Sequence, residues 1–142
     1  MDTHFLVNTP YGVSNSNANY QASDEDWQIA STIVTEERVR WVVAYFAPFE
    51  SPGIDGIYPV LLYIIIGRLI KLLRASTELG YIPIQWRTAM VVFVPKPGRN
   101  DYIQPKSFRR ISLMSFLLKT TKRLIDRHIR DGTLVRYPLH AN

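Results

Sequence analysis

A chain of 142 residues, 46% apolar and 20% charged, has the length of one domain, able to bury roughly 68–70% of its unfolded surface, which excludes a multidomain machine. The absence of cysteine excludes disulfide scaffolds, Cys-ligated zinc, iron–sulfur clusters and thiol nucleophiles together, and fits an intracellular protein of the nucleus or cytoplasm better than a secreted one. Seventeen Lys/Arg against twelve Asp/Glu give a net charge of +5, and the three histidines, His4, His128 and His140, are too scattered to suggest a metal site.

The opening Met1-Asp2-Thr3-His4 has neither a basic start nor a long apolar run, so no signal peptide is expected. The longest apolar uncharged stretch, residues 56–67, falls short of the roughly 20 residues needed to cross a bilayer, so the chain is expected to be soluble with no membrane partner. Residues 8–23 are rich in Asn and Ser without an apolar period, and residues 1–34 read as a polar, partly disordered leader ahead of a unit spanning 35–142. Thr35 before Glu36-Glu37, with Val39, Val42, Val43 and Phe46 following at helical spacing, predicts an N-capped short helix ending before Pro48.

Ser51-Pro52-Gly53-Ile54-Asp55-Gly56 is a turn cluster. Residues 59–79 then read as one helix, with Pro59 in its first turn and Gly80 just past its end. The Ile64-Ile65-Ile66 run suits a buried strand as well, and the length of the whole pattern favours helix. Thr88 to Val94 is β-branched and apolar up to Pro95, which predicts a strand buried on both faces or nearly so. Residues 95–106 form an exposed basic loop, Ser107 to Ile111 return as a second hairpin strand, and a helix runs from about Ser112 to near Gly132. Its apolar side carries Leu113, Met114, Leu117, Leu118, Leu124, Ile125 and Ile129, and its other side Lys119, Lys122, Arg123, Arg127 and Arg130.

The charge is unevenly placed. Residues 1–60 hold Arg38 and Arg40 against eight acids, whereas residues 87–130 hold eleven Lys/Arg against Asp101 and Asp126. Such a density is a footprint for a polyanion, nucleic acid first and an anionic membrane surface second, or else a solvated face without a partner. No converging carboxylates, nucleophile elbow, phosphate-binding glycine loop or dinucleotide fingerprint is present, so no catalytic or metal-ligating residue is assigned. Phosphate contact through positive charge remains. Lys96, its backbone restrained by Pro95 and Pro97, and Arg109 on the facing strand are candidates for a shared phosphate, or for ordinary surface cations. Arg87, Arg99, Lys106, Arg110, Lys119, Lys122 and Arg123 are the candidates for nucleic-acid contact.

Four motifs occur in one order: Phe49-Glu50-Ser51-Pro52-Gly53-Ile54-Asp55-Gly56-Ile57, Gly80-Tyr81-Ile82-Pro83 with Trp86-Arg87, Val91-Val92-Phe93-Val94-Pro95-Lys96-Pro97-Gly98, and Phe108-Arg109-Arg110-Ile111-Ser112-Leu113. In order and spacing they resemble the N-terminal part of non-LTR retrotransposon reverse transcriptases, a likeness running from about His4 to His140. The resemblance implies an α+β fold, the fingers-like portion of a right-hand polymerase, with about three helices and a small antiparallel hairpin lying over template and incoming nucleotide. It makes Lys96 and Arg109 nucleotide-binding, Arg109 the stronger because it aligns with the arginine of the family's R-P-I-S-L motif. Arg110 stands where that motif has proline, and Lys122 where a glutamate is common.

The family's metal-binding aspartates lie on palm strands beyond the segment matched here. The resemblance therefore implies that Mg²⁺ serves only a full-length parent, and that this fragment or decayed copy does not polymerise alone. RNA template, DNA primer, deoxynucleotide triphosphate and the absent palm and thumb are the implied partners. Two other readings are a nucleic-acid-binding module kept after loss of the palm, and a protein-interaction surface made of residues 39–46 and the long helix.

Overall fold

The computed structural model describes residues 21–135; the leader through residue 20, with His4, and the tail from residue 136, with His140, lie outside the described residues. Among the described residues, six α-helices and a two-stranded antiparallel sheet make an α+β fold. The helices are α1 (Asp24–Ile33), α2 (Glu36–Ala44), α3 (Pro59–Ile64), α4 (Ile66–Glu78), α5 (Ile84–Arg87) and α6 (Phe116–His128), and the strands β1 (Met90–Pro95) and β2 (Phe108–Leu113). No helix among the described residues is long and apolar enough to cross a membrane.

Six helices stand where about three were expected, and each addition has a local cause. The first lies inside the stretch read as leader: Ser23 accepts from the Asp26 amide while the Asp26 carboxylate accepts from the Ser23 amide, a reciprocal cap that starts α1. Helix α1 then buries Ala30 and Ile33. The second arises because the expected 59–79 helix is broken at Ile65, whose φ of −100° and ψ of 18° leave the helical region. Three successive isoleucines crowd the preceding turn, which weakens the helix there. The third, α5, is a single turn after Pro83 that buries Trp86.

Other local expectations hold. Thr35 caps α2 by accepting from the Arg38 amide at 3.3 Å. At the end of α4, Gly80 has φ +57°, and the Tyr81 and Gly80 amides donate back to the Ser76 and Thr77 carbonyls, closing the helix as glycine in a left-handed conformation allows. Helix α6 starts later than expected, at Phe116 with Ser115 as its cap, because Ser112 and Leu113 are still paired in β2.

The core joins the inner faces of α2, α4 and α6: Val39, Val42 and Val43, then Leu69 and Leu73, then Phe116, Leu117 and Leu124, with Leu62 from α3. Phe46 meets Phe116 edge-on, ring centroids 5.0 Å apart. The loop from Ser51 to Gly56 is fastened against this core by backbone. A Cβ on Gly53 would lie 2.6 Å from the Ser115 nitrogen and 2.7 Å from the Met114 carbonyl carbon, so only glycine fits there. The motif around Gly53 and the motif ending in Leu113 therefore meet at the root of the hairpin.

The sheet is a correction. Strand β1 was expected to be buried on both faces, yet none of its residues is buried and Phe93, Val94 and Pro95 are exposed. Among the described residues the sheet has two strands and no third, so partial cover is confined to the root of the hairpin, at Met90–Val92 and Leu113, and to Phe108, which lies against Tyr102.

Candidate nucleic-acid interface

The cations between residues 87 and 130 fall on two different supports. The first is the hairpin. Its register pairs Met90 with Leu113, Val92 with Ile111, Phe93 with Arg110 and Val94 with Arg109. Lys96 continues the ladder, its amide donating to the Ser107 carbonyl at 2.8 Å. Because side chains alternate between faces, Val92, Val94, Lys96, Arg109 and Ile111 lie on one face, and Phe93, Pro95, Phe108 and Arg110 on the other. Lys96 and Arg109 thus share a face, and Arg110 belongs to the opposite one.

The loop that follows is organised around Lys96. Its carbonyl accepts from the Tyr102 hydroxyl at 3.0 Å, Tyr102 lies against Phe108, and the Ser107 hydroxyl donates to the Asp101 carbonyl. The Lys96 ammonium donates to the Lys106 carbonyl at 2.7 Å, so this side chain ties the two ends of the loop together. Arg109 and Arg110 are exposed, with no side-chain hydrogen bond or ion pair among the described residues, and the same holds for Arg99, Lys106 and Arg87. Of the two residues expected at the nucleotide, Arg109 therefore has its whole guanidinium fork open to an anion, whereas Lys96 already has a backbone partner.

The second support is the seam between α6 and α2. Lys119, Arg123 and Arg127 recur every four residues and so lie along one stripe of α6. Lys119 sits 4.0 Å from the Phe116 ring centroid and 3.5 Å from the Glu50 carboxylate. The Arg123 guanidinium lies over Tyr45 at 3.7 Å and near Phe46 at 4.9 Å, and that of Arg127 lies over Trp41 at 4.3 Å. Arg127 also reaches Asp131, and Arg130 reaches Asp126. Lys122 has no such partner among the described residues.

Three expected nucleic-acid contacts thus have different standings: Lys119 and Arg123 are docked on aromatic rings, and Lys122 projects freely. Sequence reasoning missed the aromatic side of this seam. Trp41 on α2 and Tyr45, the helical-conformation residue that caps its C-terminus, are i, i+4, a spacing that puts both on one face, and that face lies beside the valine stripe that dominated the pattern. Together with the α6 arginines they line an open cavity of about 410 Å³.

Among the described residues no three His, Asp or Glu side chains converge on one point. Asp24, Glu36 and Glu37 sit in first turns of helices, in keeping with a structural role.

The chain is similar to two proteins of transposable elements. It is 35% identical over 86 residues, 58% of its length, to a Drosophila melanogaster protein named as an RNA-directed DNA polymerase from transposon BS. It is 28% identical over 114 residues, 72% of its length, to the 115 kDa protein of the type-1 retrotransposable element R1DM of the same species. These spans are 9% and 11% of the two relatives, so the chain covers about a tenth of the length of the proteins it matches. No protein-family model matches it.

Proposed function

Starting from a chain whose relatives are proteins of Drosophila transposable elements, one of them named as an RNA-directed DNA polymerase, we propose that it is a fingers segment of a non-LTR retrotransposon reverse transcriptase. In this reading its hairpin contributes phosphate contacts to template and nucleotide, and the two-metal chemistry belongs to carboxylates outside the segment. Arg109 is the principal contact to the triphosphate of the incoming nucleotide. Fixed cations beside a transferring phosphoryl group stabilise the charge that accumulates there. Lys96 joins it through the ammonium N–H donors that its bond to the Lys106 carbonyl leaves unused. Arg110, on the other face, meets the nucleic-acid backbone.

The observation that carries this reading is Arg109 on an exposed, two-sided hairpin with its guanidinium unpartnered among the described residues, at the position of the family's R-P-I-S-L arginine. The chain alone is expected to give no primer extension with RNA template, Mg²⁺ and nucleotides, and extension above background would move catalysis into this segment. In a longer polymerase carrying the segment, Arg109→Ala is expected to raise the KM for nucleotide by tenfold or more, on the order of one lost charge-assisted fork. Arg99→Ala, at the loop tip, is expected to change it by less than about twofold. Equal effects would remove the assignment.

A further inference from the structure

The seam between α2 and α6 holds a site separate from the hairpin. Arg123 is half-buried and lies against two aromatic rings, 3.7 Å from the Tyr45 centroid and 4.9 Å from that of Phe46. A guanidinium so placed is held by its contacts with the two rings. Its N–H donors lie along the edge, and Arg123 makes no hydrogen bond or ion pair among the described residues. It is therefore a positioned cation whose forked donors are unused.

Its neighbours differ. Arg127 and Arg130 each have an aspartate within ion-pair distance, which holds them in place and takes part of their charge. Trp41, 51% exposed, has Arg127 over its ring at 4.3 Å and keeps about half its surface open, and Tyr45 is 66% exposed. The cavity these groups line, about 410 Å³, lies within the roughly 300–1,000 Å³ typical of small-ligand sites, larger than a lone carboxylate or phosphate needs. Arginine forks beside open aromatic surface are what binding of an unpaired nucleotide uses: charge for the backbone and a ring for the base.

We propose that this cavity takes one unpaired nucleotide of a single-stranded RNA, its phosphate on the Arg123 guanidinium and its base against Trp41. It rests on the reading of the chain as a nucleic-acid-handling segment but uses none of the hairpin residues. The segment then grips an RNA at two places, one shaped for phosphates by β1 and β2 and one shaped for a flipped or unstacked base by α2 and α6. Duplex is refused at the second place because its bases are already stacked on each other.

The test uses the whole 142-residue chain with Trp27→Phe, which leaves Trp41 as the exposed indole beside the buried Trp86. The probe is a fluorescein-labelled oligouridylate of about 12 nucleotides, within the site sizes of single-strand binders. Anisotropy reads affinity and tryptophan emission reads stacking. Binding is expected to quench Trp41. Trp41→Leu, on a half-exposed ring, and Arg123→Gln are each expected to weaken affinity by about tenfold, the order of one lost base–aromatic stack. Arg123→Lys, which keeps the charge and loses the fork, is expected to recover only part of the loss. Arg68→Gln, one positive charge fewer outside the cavity, is expected to change affinity by less than about twofold.

Arg109→Gln with Arg110→Gln is expected to lower affinity while Trp41 is still quenched at saturation. If that hairpin pair lowers affinity but Trp41→Leu and Arg123→Gln do not, the cavity proposal fails and the hairpin reading stands. If the oligonucleotide does not bind at low salt at all, the nucleic-acid reading itself fails. Equal quenching of Trp41 by a duplex of the same length, or displacement of the oligonucleotide by polyglutamate at matched charge, would likewise overturn the proposal.

Discussion

The hairpin and helix α6 carry similar numbers of cations and treat them in opposite ways. On α6 Arg123 and Arg127 lie on aromatic rings, Arg127 beside Asp131 as well, over a core that includes the fully buried Phe116. On the hairpin Arg109 and Arg110 extend from strands with no buried residue and have no protein partner among the described residues. Charge counted along a sequence treats the two as one basic segment. The structure separates cations seated on a packed support, Arg123 among them with its N–H donors still open, from cations that stand on none. That separation follows from the supports: a helix with a buried face can pack a neighbour against its arginine stems, whereas a lone hairpin has nothing beside it.

The largest test of this contrast compares two phenylalanines. Phe116→Ala is expected to cost about 3–5 kcal/mol in urea unfolding, because it empties a fully buried site and removes the edge-on contact with Phe46. Phe93→Ala on the exposed part of β1 is expected to stay within about 0.5 kcal/mol. Similar losses at both positions would mean that the hairpin is covered by something heavier than the described residues.

A smaller effect is expected at the joint between the two regions. Gly53→Ala should lower stability by about 1–3 kcal/mol in thermal melts, since the added carbon would meet main chain that has no side chain to swing aside. A melt unchanged by this substitution would show that the loop and the β2–α6 junction are not in contact.

The smallest effect sharpens the comparison most directly. Arg123→Gln is expected to cost about 0.5–2 kcal/mol of stability through its lost ring contacts. Arg109→Gln is expected to leave stability within about 0.5 kcal/mol while weakening nucleic-acid binding and reducing its salt dependence by about one unit of log–log slope. Interchanged outcomes would reverse which cations are structural.

Much of the fold was legible because its signals are local. Thr35 as a cap, Gly80 as a helix stop and the strand ending at Pro95 each follow from one or two residues whose chemistry permits few alternatives. Helix α1 escaped notice because its apolar positions are spread among acids and Asn/Ser-rich flanks, and its capping box was the signal that could have found it. The burial of β1 was overestimated because apolar composition cannot tell a central strand from one whose neighbours lie elsewhere. That Lys96 and Arg109 share one face was readable from a hairpin alone, since alternation follows once the turn is placed. The cavity at Trp41 and Arg123 was not, because it joins residues about eighty positions apart through tertiary packing that no local pattern encodes.

The bare approach of Gly53 to Met114 and Ser115 has a mechanical meaning. Two main chains touching with no side chain between them have no rotamer to absorb a displacement, so a tug on the hairpin is passed to the 51–56 loop undiminished. A ligand that bends the hairpin would therefore register as a movement near Pro52, on a stretch of chain it never touches.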